Sequence, residues 1–211
     1  MTEDPDYHER VLRLLEDSYV AADERGDICG GSGSSGDLAY WAKRRRIIAR
    51  AFDHDGAWLD VGCANGLLMH TLRQWTAEQG LTIEPFGLEL SARIAERARL
   101  RFPQWADRIW TGNIMTFAPP IRFDYVTALT DFVPPERCPA MLERIASLYL
   151  KPGGRVILSS YGPGGFLVRH RAGADDPRRH FEAIGLAVTG NTQLDDPESG
   201  LVKIRTTWGN V

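Results

Sequence analysis

The spacing of hydrophobic positions along the chain changes near residue 57. Before that point apolar residues recur at helical spacing, and a first amphipathic helix is predicted from Asp6 to about Glu24. A second helix is predicted from Asp37 to about Phe52, with its N-cap in the Ser35/Asp37 region. One face of the first helix carries Val11, Leu14, Leu15, Ser18 and Tyr19, and one side of the second carries Leu38, Trp41, Arg45, Ile48 and Phe52. Five glycines between residues 26 and 36 predict a flexible linker between the two helices.

From residue 57 onward, short apolar runs alternate with amphipathic ones. Strands are predicted at 58–61, 82–89, 108–110, 123–129, 154–161, 186–189 and 201–208, and helices at 66–79, 91–102, 135–150 and 176–184. Ser91 is a plausible N-cap, and the turn at residues 151–154 leads into the fifth strand. Alternation of this kind predicts an α/β fold: a doubly wound, mostly parallel seven-stranded sheet with helices on both faces and an antiparallel terminal strand. The predicted division is a helical lid with its linker at 1–52 and one α/β domain at 53–211.

Composition is ordinary for a globular enzyme. The 211 residues suffice for one α/β domain, and a net charge of -3 with 43% hydrophobic residues gives no sign of a nucleic-acid-binding protein. Three cysteines without a CxxC spacing predict neither a disulfide framework nor a zinc site. The acidic N-terminus lacks an apolar signal region, and no run reaches the ~18 apolar residues of a membrane span. We therefore expect a cytoplasmic protein.

The stretch from Trp58 to Gly66 carries the strongest chemical signal. It is a buried strand that ends in Asp60-Val61 and breaks into a turn whose small residues let the backbone pass close to a ligand. The three glycine positions of the dinucleotide fingerprint G-x-G-x-x-G would fall on Gly62, Ala64 and Leu67. The third position is a leucine, so the chain does not match this fingerprint. The glycine-rich linker is not a P-loop, because no strand precedes it and no Gly-Lys-Ser/Thr follows.

The pattern hydrophobic-Asp-hydrophobic-Gly-x-Ala-x-Gly resembles motif I of class I S-adenosylmethionine (SAM)-dependent methyltransferases. The segment 130–135 (TDFVPP) resembles the family's motif IV, and the 151–154 turn with its following strand is also similar to the family pattern, so that the matches cover roughly residues 57–160. The resemblance implies a Rossmann-like fold and SAM as methyl donor, with S-adenosylhomocysteine as product. A narrower likeness, in the Gly/Ser segment and Trp41 before motif I, is to small bacterial methyltransferase-like proteins, and it implies that the N-terminal helices form a lid.

The same resemblance implies the cofactor contacts. Glu89 ends the second strand, where a carboxylate can accept both ribose hydroxyls. Asn113 stands where many family members have Asp, and its amide oxygen can accept from the adenine amine. Leu90 and Ile114 are candidate walls for the adenine ring. The complete predicted set is Asp60, Gly62, Cys63, Ala64, Gly66, Glu89, Leu90, Asn113, Ile114, Leu129 and Thr130.

Methyl transfer needs alignment of the acceptor and, for an amine or hydroxyl, removal of a proton. Asp131 is the first candidate for orienting or deprotonating the acceptor, with Tyr161 and His170 as further candidates. Tyr40 and Trp41 are candidates for closing over the site or stacking on the substrate. The order Asp131-Phe-Val-Pro-Pro135 differs from the family's Asn/Asp/Ser-Pro-Pro-aromatic pattern and disfavours a planar amine as acceptor. We predict no metal.

The preferred hypothesis is therefore a methyltransferase acting on an N or O atom of a small molecule, plausibly in bacterial secondary metabolism, as a monomer or homodimer. Basic clusters at 43–46, 169–171 and 178–180 leave a methyltransferase acting on RNA or a nucleotide as an alternative, although acidic residues outnumber basic ones by 28 to 25. A protein that binds SAM or a nucleotide without catalysis, as a regulator or partner subunit, is the other alternative.

Overall fold

A computed structural model describes residues 5–30, 37–162, 175–195, 197–198, 200 and 202–211. Its strands form one seven-stranded sheet in the order β3-β2-β1-β4-β5-β7-β6. The strands are β1 Gly56–Val61, β2 Ile83–Glu89, β3 Ile109–Thr111, β4 Phe123–Leu129, β5 Leu150–Tyr161, β6 Gly190–Asp195 and β7 Val202–Asn210. Strands β1 to β5 are parallel, and β7 pairs antiparallel with both β5 and β6. The predicted α/β fold is confirmed.

Six α-helices connect and cover the strands in the described part of the chain. They are α1 Pro5–Glu24, α2 Leu38–Arg45, α3 Leu67–Ala77, α4 Ala92–Arg101, α5 Cys138–Arg144 and α6 Arg178–Ala183. Ser91 caps α4 as predicted, because its side-chain oxygen accepts from the Ile94 amide at 3.2 Å. Asp37 caps α2 in the same way through the Tyr40 amide at 2.8 Å.

The two faces of the sheet have separate apolar cores. Successive strand residues point to opposite faces, so Trp58 belongs to the core covered by α2, α3 and α4, whereas Leu59 and Val61 belong to the core covered by α5 and α6. Asp60 lies on the Trp58 face, next to a fully buried indole. A carboxyl group is thereby placed within the apolar layer of the fold.

Four predicted elements differ from the observed ones. The helix predicted at 135–150 is an α-helix only over Cys138–Arg144, between a 3-10 helix at Pro135–Arg137 and a π-helix at Ile145–Tyr149. The strand predicted at 186–189 was wrong: Leu186 and Val188 pack on the α6-side core, and the edge strand β6 begins at Gly190. The predicted turn at residues 151–154 lies within β5, next to an irregularity in its pairing with β4. The predicted helix 37–52 ends as an α-helix at Arg45 and continues as a 3-10 helix over Arg46–Ala51.

Sheet order reverses between β1 and β4, and the carboxyl ends of these strands open onto a crevice of the kind that binds ligands in doubly wound folds. The N-terminal segment lies at the same edge. Asp23 on α1 forms ion pairs with Arg97 and Arg101 on α4, and Asn65 donates from Nδ2 to the Ile28 carbonyl at 3.0 Å. Among the described residues, no helix is long and apolar enough to cross a membrane.

Candidate functional site

The turn between β1 and α3 has an unusual backbone. Gly62 and Gly66 have φ of +69° and +79°, and Ala64, with φ +47°, is the one non-glycine residue of positive φ in the described ranges. Because L side chains rarely adopt this region, the turn is strained at Ala64 and needs glycine at the other two positions. A Cβ atom added at Gly62 would lie 2.2 Å from Cζ of Phe132. The turn is therefore a fixed platform with Phe132, from the loop after β4, lying against it.

Asp60 is held in place by a buried chain of hydrogen bonds. The Thr127 hydroxyl donates to Oδ1 of Asp60 at 2.9 Å, and Trp58 donates from Nε1 to the same hydroxyl at 3.0 Å. Asp60 is 4% exposed. Burial, with a smaller contribution from the negative charge of Glu89, raises the pKa of Asp60 to about 7, against the lowering effects of the Thr127 hydrogen bond and of the Arg45 guanidinium. The carboxyl group therefore titrates far above the usual range of an aspartate.

Glu89 joins the end of β2 to the strained turn. Its Oε2 accepts from the Ala64 amide and its Oε1 from the Ser91 amide, both at 2.9 Å. Burial raises the pKa of Glu89, although these backbone hydrogen bonds lower it. Each carboxylate oxygen has a second lone pair that can accept from a ligand hydroxyl. Glu89 consequently fixes the shape of the turn and also faces the crevice from its other side.

The residues predicted to surround an adenine ring lie beside Glu89. The amide of Gly112 donates to the Glu89 carbonyl at 2.9 Å, which brings the turn after β3 to the end of β2. Oδ1 of Asn113 accepts from the Met115 amide at 2.9 Å, so a ligand amine would have to use its remaining lone pair. Ile114 is 5% exposed in the α5-side core, while Leu90 is half-buried.

The end of β4 supplies the other side of the crevice. Thr130 and Asp131 are 3% and 6% exposed, and the Thr130 amide donates to the Ser159 carbonyl of β5 at 3.0 Å. Leu129, the last residue of β4, is half-buried. Asp131 therefore carries a carboxyl group at the site's edge, next to the ring of Phe132 that covers Gly62.

Helix α2 presents two arginines to Tyr161, the last residue of β5. The Arg45 guanidinium lies 4.8 Å from the centre of the Tyr161 ring and 5.6 Å from that of Trp41, and the Arg44 guanidinium lies 5.5 Å from Tyr161 and 5.4 Å from Tyr40. Such distances are those of cation–π contacts. Burial raises the pKa of Tyr161, so the phenol stays protonated at neutral pH. Trp41 is buried, whereas Tyr40 is 42% exposed at the rim.

Four residues that the sequence did not assign to the site belong to this arrangement: Tyr19, Arg45, Thr127 and Phe132. Burial raises the pKa of Tyr19, and the charge of Glu89 raises it further, which places this α1 phenol among the site's carboxylates. Arg45 is 6% exposed. One signal was available in the sequence, since Arg45 lies on the apolar side of its predicted helix and Thr127 is a polar residue between the apolar Val126 and Ala128 of β4.

Two histidines follow β5 in the chain. His170, a predicted catalytic candidate, lies outside the described residues. His180 on α6 is buried, and its Nε2 lies 2.9 Å from Oδ2 of Asp175. Within the described ranges, no group of three His, Cys, Asp or Glu side chains could hold a metal ion.

The topology and the crevice together define the fold of class I SAM-dependent methyltransferases. Solved structures with this fold include the N-methyltransferase NodS from Bradyrhizobium japonicum WM9 in complex with S-adenosylhomocysteine, which is 15% identical with a TM-score of 0.61 over 83% of this chain and 89% of that one. A geranyl diphosphate C-methyltransferase from Streptomyces coelicolor A3(2) is 12% identical, with a TM-score of 0.65 over 100% of this chain and 99% of that one.

A third similar structure is the 1,6-didemethyltoxoflavin-N1-methyltransferase from Burkholderia thailandensis, with 1,6-didemethyltoxoflavin and S-adenosylhomocysteine bound. It is 16% identical, with a TM-score of 0.62 over 96% of this chain and 89% of that one. No protein-family model and no curated protein sequence matches the chain. At these identities the likeness establishes the fold.

Proposed function

We propose that this protein is a SAM-dependent methyltransferase that transfers the methyl group to an N or O atom of a small-molecule acceptor. One observation carries the proposal: two buried carboxyl groups, Asp60 and Glu89, flank a strained glycine turn at the crevice of a methyltransferase fold. Buried carboxyl groups are costly to a fold unless they are paired or hydrogen-bonded, and the lone pairs that the protein leaves on Asp60 and Glu89 can accept from a ligand. Similar folds crystallised with S-adenosylhomocysteine, in NodS and in the 1,6-didemethyltoxoflavin-N1-methyltransferase, support the choice of cofactor.

The residues of the crevice fit SAM. Asp60 is suited to the donor's ammonium group, and the buried Arg45 beside it is suited to the donor's carboxylate. Glu89 can accept the ribose hydroxyls, and the turn at Gly62 leaves room for a chain that passes close to the backbone. The half-buried Leu90 and the buried Ile114 supply apolar surface for adenine beside Asn113.

When bound, SAM would supply an electrophilic methyl group on its sulfonium, which the acceptor atom would attack in line with S-adenosylhomocysteine as the leaving group. The protein's own residues align the two molecules and exclude water. Phe132, which lies on Gly62, separates the donor side from the acceptor side. Asp131 receives the acceptor's proton, and the protonated phenol of Tyr161 donates a hydrogen bond to the acceptor. We propose the segment 1–52 as the lid, with Tyr40 on α2 and Tyr19 on α1 as its candidate contacts, whereas Trp41 packs on Trp75 in the core.

The pairing of the basic clusters supports a small acceptor over a nucleic acid. Within the 43–46 run, Arg45 is buried and Arg44 is half-buried against Tyr161, so only Lys43 and Arg46 form a solvated cationic face. Arg178 and Arg205 both pair with Asp176, and Arg179 pairs with Asp175. The acceptors named for two of the similar structures, 1,6-didemethyltoxoflavin and a geranyl diphosphate analogue, are also small molecules. We further propose a cytoplasmic protein, since its three cysteines are buried and are not joined in disulfides.

The first test of the proposal is calorimetric titration with S-adenosylhomocysteine. We expect binding by the wild-type protein, and a loss of about tenfold or more in affinity for Asp60→Asn and for Glu89→Gln, because each change removes a buried charged partner. Asp107→Asn and Glu143→Gln, on exposed residues away from the crevice, are matched controls that should bind normally. Absence of binding at millimolar ligand, or full affinity in both site variants, would contradict the cofactor assignment.

Transfer itself is tested separately. Radiolabelled SAM is incubated with the protein and a fractionated pool of bacterial small molecules, and labelled products are identified by mass. Label that appears only in added RNA would favour the nucleic-acid alternative, and binding without transfer to either pool would favour a non-catalytic protein.

A further inference from the structure

We propose that Thr127 is a positioning residue of the donor site: its hydroxyl, oriented by the indole of Trp58, holds Asp60 in the ionised form that binds the donor's ammonium group. The inference rests on the proposed function and deepens it. It assigns a role to two buried residues of β1 and β4 that touch neither donor nor acceptor.

The direction of the hydrogen-bond chain follows from donor and acceptor chemistry. An indole N–H can only donate, so the Thr127 hydroxyl must accept from Trp58 at 3.0 Å. The single hydroxyl hydrogen is then left for an acceptor. Oδ1 of Asp60 at 2.9 Å is nearer than the Leu59 carbonyl at 3.4 Å. The chain therefore runs from Trp58 through Thr127 to Asp60, and each step delivers a hydrogen toward the carboxylate.

Burial makes this chain hard to replace. Trp58, Thr127 and Asp60 are 0%, 5% and 4% exposed, so bulk water does not compete for the same atoms. A hydrogen bond to an ionised group is stronger than one between neutral groups, and more so where water is excluded. The Thr127 hydroxyl consequently stabilises ionised Asp60 more than protonated Asp60.

The other groups that face Asp60 do not take over this task. Glu89 on β2 carries a like charge and opposes ionisation, and Arg45 on α2 favours it. Tyr161 on β5, Tyr19 on α1 and Cys63 in the turn stay neutral, because burial raises the pKa of each. Thr127 is thus the uncharged partner that favours the ionised carboxylate, and it acts by geometry because it cannot titrate.

A dependence of donor binding on pH follows. Only the ionised carboxylate attracts an ammonium group, and burial raises the pKa of Asp60 to about 7, so affinity should increase as the pH rises through that value. Loss of the Thr127 hydroxyl should move this inflection to higher pH while the affinity at the alkaline end stays near the wild-type value.

The experiment is titration with S-adenosylhomocysteine between about pH 6 and about pH 8.5. For Thr127→Val we expect the inflection to rise by about one pH unit, so that affinity falls about fivefold at about pH 7 and recovers to within about twofold at the alkaline end. Thr127→Ser keeps the hydroxyl and should restore the wild-type profile. Thr76→Val is the control, because it removes another buried hydroxyl, on α3, whose hydrogen bond goes to the Leu72 carbonyl.

Each outcome has a separate meaning. The positioning role is overturned if Thr127→Val lowers the affinity for S-adenosylhomocysteine by the same factor at every pH. It is also overturned if Thr127→Ser does not restore the wild-type pH profile, and Thr127 is then a packing residue. If Thr127→Val does not fold, Trp58→Phe removes the orienting donor alone, and an unchanged inflection in that variant overturns the proposal. Absence of binding by the wild-type protein at every pH contradicts the proposed function itself.

Discussion

Asp60 is a carboxyl group on a strand whose neighbours Leu59 and Val61 lie in an apolar core. Burial raises its pKa to about 7, above the ~3.9 of an unfolded chain. Between these two pH values the folded protein keeps a proton that the unfolded chain has released. The contribution of Asp60 to the free energy of unfolding therefore falls as the pH rises from about 4 to about 7, and levels off above that.

The substitution Asp60→Asn should remove this contribution to the pH dependence of stability. Without a titrating carboxyl, the variant gains thermal stability relative to wild type as the pH rises from about 4 to about 8, by several degrees, since about 1 kcal/mol corresponds to roughly 2–4 °C in a protein of this size. Thermal melts of the ligand-free proteins across this range measure it. The exposed Asp107→Asn should show no such trend, and a constant difference between Asp60→Asn and wild type at all pH values would refute the argument.

Residues whose role is local could be predicted from the sequence. Asp60, Gly62 and Gly66 sit in one short pattern whose turn needs glycine, and Ser91 follows a strand and starts a helix. Thr127 could not be predicted, because its role comes from the 2.9 Å contact with a residue 67 positions earlier. Tyr19 likewise reaches the site through the docking of α1, which no local pattern encodes.

At the scale of elements, the two N-terminal helices have different means of attachment. Helix α2 packs on the core through Trp41, whose ring centroid lies 6.1 Å from that of Trp75 on α3. Helix α1 is attached to α4 by polar contacts, in which Asp23 pairs with two arginines, and Arg93 approaches Glu16 at 3.7 Å. These side chains are partly exposed, and such pairs contribute at most about 1 kcal/mol each. Helix α1 is therefore the more easily detached of the two.

The substitution Asp23→Asn should loosen α1 and leave the sheet intact. We expect faster amide exchange in α1 and a two- to fivefold weaker affinity for S-adenosylhomocysteine (roughly, from the loss of up to 1 kcal/mol), because Tyr19 is then less well held at the site. Hydrogen-exchange mass spectrometry and calorimetry measure the two effects. Asp17→Asn, on an exposed residue of the same helix, is the matched control. Unchanged exchange in α1 would show that the ion pairs do not hold it.

Edge elements were the least predictable. The apolar stretch 186–189 has the alternation of a strand. Its side chains Leu186 and Val188 instead pack on the core next to α6, and the Leu186 amide donates to the Phe181 carbonyl at 3.0 Å. The true edge strand, β6, is polar because one of its sides faces solvent. Hydrophobic periodicity reports burial, and an exposed edge strand has little of it.

At the scale of the molecule, the two ends of the parallel strands have different tasks. The carboxyl ends carry the candidate site. At the amino ends, the Tyr125 hydroxyl accepts from the amides of Asp53 and His54 at 3.2 and 2.9 Å, and Arg155 donates to the Ala51 carbonyl at 2.6 Å. These contacts fix the segment that leads into β1. The alternation of elements predicted the sheet, whereas this anchoring required the three-dimensional structure.

The substitution Tyr125→Phe should separate stability from binding. It leaves two backbone amides without their acceptor, at a cost of about 1–3 kcal/mol in the free energy of unfolding. Chemical denaturation measures this loss, and the affinity for S-adenosylhomocysteine should remain within about twofold of wild type because the site is at the other end of the strands. A large loss of affinity at full folding would mean that the two ends are coupled.

The buried indole of Trp58 has one more consequence. Its N–H is two hydrogen bonds from a carboxyl group whose charge changes near neutral pH and on which the donor's ammonium group would rest. An indole's excited state is sensitive to the electric field along its ring. The protein therefore contains an intrinsic optical reporter of the proposed cofactor site, built from a side chain that also belongs to the buried core.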